Sequence, residues 1–316
     1  MVKKILFLLL RALVTLLAFW IIFRKVDFST FQQTILQAKL NWLLMSLALF
    51  ILTQLGCIIR WHLLAPKHPR LTFPFLANSY LVGMFFSAFL PTTVGGDVMR
   101  SYDLIKATGQ WREPLASVLM DRLVGITGLM ILALIAWISF APVRQDHVMN
   151  LGILWLCGIV AAALCVLASR RLLNATLKPF GKIGLGQLQS HAKQFQETLL
   201  AYLRRPNILM GAMGLALANQ LLGVLSTVAS MKALNLEIPV LYLFIIIPIV
   251  SMVSQLPISL NGWGIREGTT VFLFHQVGIE PSMGLSLALI GAMMQLLPGI
   301  IGGFLFLARQ LRKKQA

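Results

Sequence analysis

Acidic residues are scarce in this chain: 10 Asp and Glu stand against 27 Lys and Arg over 316 residues. Charged residues of either sign make up only 12%. No long polar stretch is present that would form a separate soluble domain, and a soluble protein of this size needs far more polar surface. The five histidines (His62, His68, His147, His191, His275) are dispersed. An H-E-x-x-H metal motif, a P-loop and a dinucleotide fingerprint are all missing. Cysteine is nearly absent too. Cys57, Cys157 and Cys165 lie in apolar runs without ligand spacing, so they read as packing residues and exclude a disulfide framework. No catalytic residue, no metal site and no cofactor is expected.

Apolar sequence is what the chain has in abundance: 58% hydrophobic residues and a mean hydropathy of +0.83. These values define an all-α polytopic membrane protein. Runs long enough to span are Ile5–Phe23, Trp42–Leu64, Pro114–Phe140, Val148–Ala168, Ile208–Ser230 and Ser282–Ala308. The first lacks a small-residue cleavage site behind it and is expected to be a retained span. In a soluble protein a net charge of +17 would point to nucleic acid. In a membrane protein the positive-inside rule and anionic headgroups account for it, and no nucleic-acid partner is expected.

The basic residues set an expected sidedness. Lys3, Lys4, Lys67, Arg70, Lys106, Arg112, the basic segment 170–205 and the tail Arg309, Arg312, Lys313 and Lys314 fall on one side. Arg24, Lys25, Lys39, Arg144 and Lys232 fall on the other. The richer side is read as cytoplasmic, which places both termini there in a multi-pass protein of the cytoplasmic (inner) membrane. This assignment requires two further segments, Phe73–Lys106 and Pro239–Gln276, to enter and leave on the same face as re-entrant helical hairpins. The alternative makes both arms full spans, but Val94–Lys106 is too short and polar for that.

At the hairpin tips the sequence repeats itself. Leu90-Pro91-Thr92-Thr93-Val94-Gly95-Gly96-Asp97-Val98-Met99-Arg100 aligns with Leu256-Pro257-Ile258-Ser259-Leu260-Asn261-Gly262-Trp263-Gly264-Ile265-Arg266. The same spacing carries Asn41 onto Asn207 and Gln54 onto Gln220; one residue further on, Glu113-Pro114 meets Glu280-Pro281. The expected organisation is a single membrane domain over 1–316. Repeat one covers about 41–140 and repeat two about 207–308, inverted relative to each other, joined by a cytoplasmic connector at about 169–206. Pro91 and Pro257 end the inbound arms. Gly95, Gly96, Gly262 and Gly264 supply positive φ or close approach, and Asn261 offers a polar contact. Pro248 has a structural role in its arm.

Charges inside apolar runs single out a site. A central charge costs about 2.5–3.5 kcal/mol on insertion scales. Asp97, Arg100, Asp121, Arg122, Arg266 and Glu267 facing lipid would together cost on the order of 15–20 kcal/mol, as much as or more than a typical protein's whole stability. They must pair or line a polar cavity. Arg100 and Arg266 each open a half-helix after a Gly-rich break, where free N–H groups and a bidentate fork suit a phosphate. The plainer alternative pairs Arg100 with Asp97 or Asp103, and Arg266 with Glu267, as structural locks. Asp121-Arg122 reads equally as a counter-charge to the pocket and as an internal bridge. Arg60, beside Trp61-His62, is expected to snorkel to the surface, and Arg11 to snorkel or pair. One asymmetry stands out: Asp97 aligns with Trp263, and Ser101 with Glu267.

These residues carry a resemblance. Leu90 through Asp97 with Arg100, Asp121-Arg122 and the stretch Pro257-Ile258-Ser259-Leu260-Asn261-Gly262-Trp263-Gly264-Ile265-Arg266-Glu267-Gly268 resemble the membrane domain of lysylphosphatidylglycerol synthases and its single-domain relatives. The resemblance implies a flippase-like domain that moves a phospholipid or related lipid between leaflets, with the two motifs as site residues. No soluble aminoacyl-transfer domain is expected here, so the chain is not expected to be an enzyme. The implied partner is a membrane lipid with a phosphate-containing headgroup. A homodimer and a separate lipid-synthesising enzyme stay open as partners, and a membrane-embedded lipid-modifying enzyme, or a partner subunit of one, is the alternative function.

Overall fold

The structure, a computed structural model, describes residues 13, 16, 17, 20, 28–89, 94–169, 186–256, 259 and 261–315. The expected first span Ile5–Phe23 therefore falls largely outside the described residues, as do Arg11, Pro91 and Pro257. Helices account for almost all the rest: α1 Phe28–Leu36, α2 Leu40–Leu64, α3 Phe73–Phe89, α4 Gly95–Thr108, α5 Arg112–Ser139, α6 Ala141–Gln145, α7 His147–Ala168, α8 Gly186–Leu203, α9 Pro206–Ala233, α10 Leu243–Gln255, α11 Ile265–Gln276 and α12 Pro281–Gln315. No strand occurs among the described residues.

Local chemistry sets the helix ends. Pro206 and Pro281 open α9 and α12 at positions where a missing N–H costs nothing. Asp146 caps α7 by accepting from the amides of Val148 and Met149. Gly109, at φ 72°, closes α4 with its N–H on the Ile105 carbonyl.

Among the described residues four helices are long and apolar enough to cross a membrane: Leu40–Leu64, Arg112–Ser139, Pro206–Ala233 and Pro281–Leu311. They coincide with four of the six expected spans. The fifth, Val148–Ala168, lies on α7, whose apolar part is a shorter helix, His147–Ala162. Outward-facing Ile51, Ile138, Leu154 and Phe304 are exposed on these helices, a surface suited to hydrocarbon rather than water.

The expected hairpin arms are separate helices with a break between them. α3 packs on α4, and α10 packs on α11. With 14 residues in α4 and 12 in α11, these helices extend about 21 and 18 Å at 1.5 Å per residue, well short of a hydrocarbon core of about 30 Å.

Two helix pairs organise the rest. α2 and α9 run antiparallel along their whole length: Lys39 N–H donates to the Ala233 carbonyl, Ser46 Oγ lies 2.7 Å from Ser230 Oγ, and Gly56 faces the Asn219 amide. Hydroxyls and small residues replace the hydrophobic effect as the glue between membrane helices. The second pair is α3 on α12, where Gly299, Gly302 and Gly303 face Ala88, Leu81 and Phe85. A Cβ at Gly302 would overlap the Leu81 carbonyl, so the two backbones touch. The corresponding pair, α10 on α5, is also packed.

The connector helix α8 lies across the ends of α2, α5 and α9. Tyr202 donates to the Leu64 carbonyl at 2.8 Å. Burial, with Glu113 nearby, pushes its phenol up to about 12, so the hydroxyl stays a donor at any physiological pH. A groove of about 380 Å³ sits beside it, lined by Lys67, Glu113, Tyr202 and Arg205.

Candidate functional site

Helix α4 starts directly at the first break. Gly95 and Gly96 form its buried first turn. A Cβ on Gly96 would lie 2.2 Å from Ser87 Oγ and 2.4 Å from the Gly83 carbonyl oxygen, so only glycine lets α4 approach α3 this closely. Among the described residues no side chain caps the α4 N-terminus, where Val94 is the N-cap. Asp97 sits in its first turn, and Arg100 follows one turn later.

From there a chain of ion pairs crosses three helices, and a hydrogen bond carries it to a fourth. Arg60 on α2 donates through Nε to Asp121 Oδ1 at 2.8 Å. Arg100 Nη2 donates to Asp121 Oδ2 at 3.0 Å, and Arg100 Nη1 lies 3.6 Å from Asp97 Oδ1. Arg122 Nε donates to Asp97 Oδ2 at 2.8 Å, and its Nη1 donates to Gln255 Oε1 at 2.9 Å. Gln255 ends α10, so the network reaches the second break. Arg60 and Arg100 are each 7% exposed and Asp121 is 3% exposed. The Arg100 guanidinium carbon stands 4.0 Å from the Trp61 ring centroid and 4.9 Å from that of Tyr80. A cation between aromatic faces is held without a further counter-ion.

Arg60 is a correction to the sequence reading. It does not snorkel: its head turns inward, because Asp121 supplies a carboxylate at ion-pair distance and removes the penalty of an unpaired buried charge. Asp121-Arg122 splits between the two readings left open. Asp121 bridges two buried arginines, whereas the Arg122 side chain is 36% exposed on the flank of the network.

At the second break the arrangement is local. Gly262 and Gly264 have φ of 77° and 79°, and Asn261 has 51°, the left-handed turn that lets α11 begin. Glu267, fully buried, accepts from the Gly264 amide at 2.7 Å through Oε2, which caps the helix start. Its Oε1 takes Arg266 Nη2 at 2.6 Å. Arg266 also donates to Gln295 on α12 and lies 4.9 Å from the Trp263 ring centroid. Asn261 Nδ2 reaches the Ala88 carbonyl at 3.4 Å, tying the second tip to the end of α3.

The sequence-chosen residues thus fall into two groups. Asp97, Arg100, Asp121 and Arg122 form one network over Gly95 and Gly96. Arg266, Glu267, Asn261, Gly262 and Gly264 form the other. Trp61, Tyr80, Gln255 and Gln295 complete these groups and were not singled out, and Arg60 joins them against the sequence reading. Gln255 carried a usable signal, as a polar residue at the last position before a break in a very apolar arm. Among the described residues no three His, Cys, Asp or Glu side chains converge on a common point.

The molecule is a multi-pass helical membrane protein with a charged network buried between its helices. It belongs to the family of the lysylphosphatidylglycerol synthase TM region, whose model matches residues 8–303. That membership connects the chain to membrane-lipid function. No curated protein matches it.

Proposed function

We propose that the protein is a lipid translocator of the cytoplasmic membrane, moving a phospholipid or related lipid with a phosphate-containing headgroup between leaflets. The headgroup enters the charged region between the two breaks while the acyl chains stay in the bilayer. The chain carries out no covalent step in this reading.

The observation that carries the proposal is the run of three arginines and two aspartates from Arg60 to Arg122, largely buried among membrane-length helices and linked to the second break through Gln255. Bundle-interior charges of this kind mark substrate pathways. Beside it, Val94, Val98 and Tyr102 form an exposed apolar stripe at four-residue spacing on α4, a path for an acyl chain next to Asp97. Two short hairpins inside one inverted repeat suit alternating access. That organisation is supported by the antiparallel α2–α9 pair and by the matched packing of α3 on α12 and α10 on α5. In this reading both termini lie on the cytoplasmic side, and both hairpins are re-entrant.

Leaflet exchange of fluorescent anionic and zwitterionic lipids in liposomes carrying the purified protein tests the reading. Exchange above that of empty liposomes is expected, with loss in Arg100→Ala and Arg266→Ala. No exchange of any lipid, with both variants equal to the parent, would sink it.

A further inference from the structure

The two carboxylates of the network are not equivalent. Asp121 is clamped between Arg60 and Arg100 at 2.8 and 3.0 Å, and its side chain is nearly inaccessible. Asp97 is 17% exposed; it touches Arg122 closely at 2.8 Å but Arg100 only at 3.6 Å. Its position is the first turn of α4, at a helix start that no side chain of the described residues caps, where the helix dipole and first-turn amides favour an anion.

The charge count is also unequal. Arg60, Arg100 and Arg122 contribute three positive charges, and Asp97 and Asp121 two negative ones. Arg266 and Glu267 cancel each other, and Asp103 is taken by Arg309 at 2.7 Å. Among the described residues one positive charge is left over in this network, whose open flank is Arg122. Arg100 Nε is moreover buried without a hydrogen-bond partner, and so is the indole N–H of Trp61 beneath it. Native structures rarely leave buried donors unused.

We infer that this region is matched to a single negative charge: it binds the monoanionic phosphodiester of a lipid headgroup beside Asp97 in the first turn of α4, against Arg100 and Arg122, and Asp97 is a built-in anion that competes for the same two arginines. The inference rests on the lipid-translocator reading and adds to it the charge class of the substrate. A phosphodiester brings the network to neutrality. A phosphomonoester, carrying nearly two charges at pH 8, overshoots it. Asp121 stays in place throughout, because releasing it would leave two buried arginines unpaired.

Removing the competitor must therefore change both affinity and preference. Binding of dihexanoyl-phosphatidylglycerol (a phosphodiester), dihexanoyl-phosphatidic acid (a phosphomonoester) and dihexanoyl-phosphatidylcholine (a zwitterion) to the full chain in nanodiscs at pH 8 is the measurement, by tryptophan fluorescence. The parent protein is expected to prefer the phosphodiester over the phosphomonoester. Asp97→Asn is expected to bind the phosphodiester about tenfold tighter, the scale of one close charge contact, and to shift its preference toward the phosphomonoester. Equal or weaker phosphodiester binding in Asp97→Asn overturns the inference while leaving the translocator reading intact. Failure of the parent to bind any of the three overturns both. If Asp97→Asn does not yield folded protein, Arg122→Gln on the exposed flank decides: it brings the network to zero charge and is expected to weaken phosphodiester binding about tenfold, and unchanged binding overturns the inference.

Discussion

Arg100 and Arg266 occupy matched places behind the two breaks, and each stacks on a tryptophan and pairs with a carboxylate. The partners come from different distances. Arg100 takes Trp61 from α2 and Asp121 from α5; Arg266 takes Trp263 and Glu267 from its own segment. The first arginine therefore ties helices to one another, whereas the second stabilises the turn it sits on. Capping differs in the same sense. The start of α11 is closed by Glu267, and the start of α4 has no such cap. Within one duplicated motif, one copy balances its charge within its own segment, and the other balances it with carboxylates and arginines of neighbouring helices. The substitution pattern visible in the sequence, Trp263 for Asp97 and Glu267 for Ser101, is the chemical record of that division.

The contrast can be broken from either side. Asp121→Ala leaves Arg60 and Arg100 buried together without a counter-charge. A loss of about 3–5 kcal/mol is expected, read as lower yield of monodisperse protein and early unfolding in mixed micelles. If Asp121→Ala unfolds at the parent's midpoint, the network does not hold the helices together. Glu267→Ala removes one charge-assisted bond to an amide and frees an arginine whose side chain is already 16% exposed. The expected loss is smaller, about 1.5–3 kcal/mol. Glu267→Gln keeps the cap geometry and should recover part of it; equal losses in the two variants would mean that charge, and not capping, is what Glu267 supplies. The weakest expected effect lies at Asp103–Arg309, which joins α4 to α12 and whose arginine side chain is 27% exposed. Asp103→Asn should cost about 0.2–1 kcal/mol and shrink further at high salt, and a loss as large as that of Asp121→Ala would place this pair inside the network.

Helix breaks were legible because Gly and Pro interrupt long apolar runs at both sites. The half-helices begin at the glycines, α4 on Gly95 itself and α11 just after Gly264, and Arg266–Glu267 was visible as a neighbouring pair. Arg60 was not legible as a network residue. At the end of an apolar run beside Trp61 and His62 it has the look of an interfacial arginine, and only the crossing of α2 with α5 reveals Asp121 opposite it. Trp61 and Tyr80 were hidden for the same reason: aromatic residues in apolar runs give no sign of facing a cation until the helices are assembled. Local pairs are written in the chain, and pairs between helices are written in the packing.

Helix α3 reaches its seat on Gly299, Gly302 and Gly303 of α12 only after nearly the whole chain has been made. At about 5–20 residues per second, the ribosome delivers that seat roughly 10–40 s after α3 itself. For that interval the first hairpin, with its arginine and aspartates, waits in or beside the insertion machinery without its closing partner. A chain truncated before Gly299 would lose more than the end of α12, since α3, made long before, would be left without its seat.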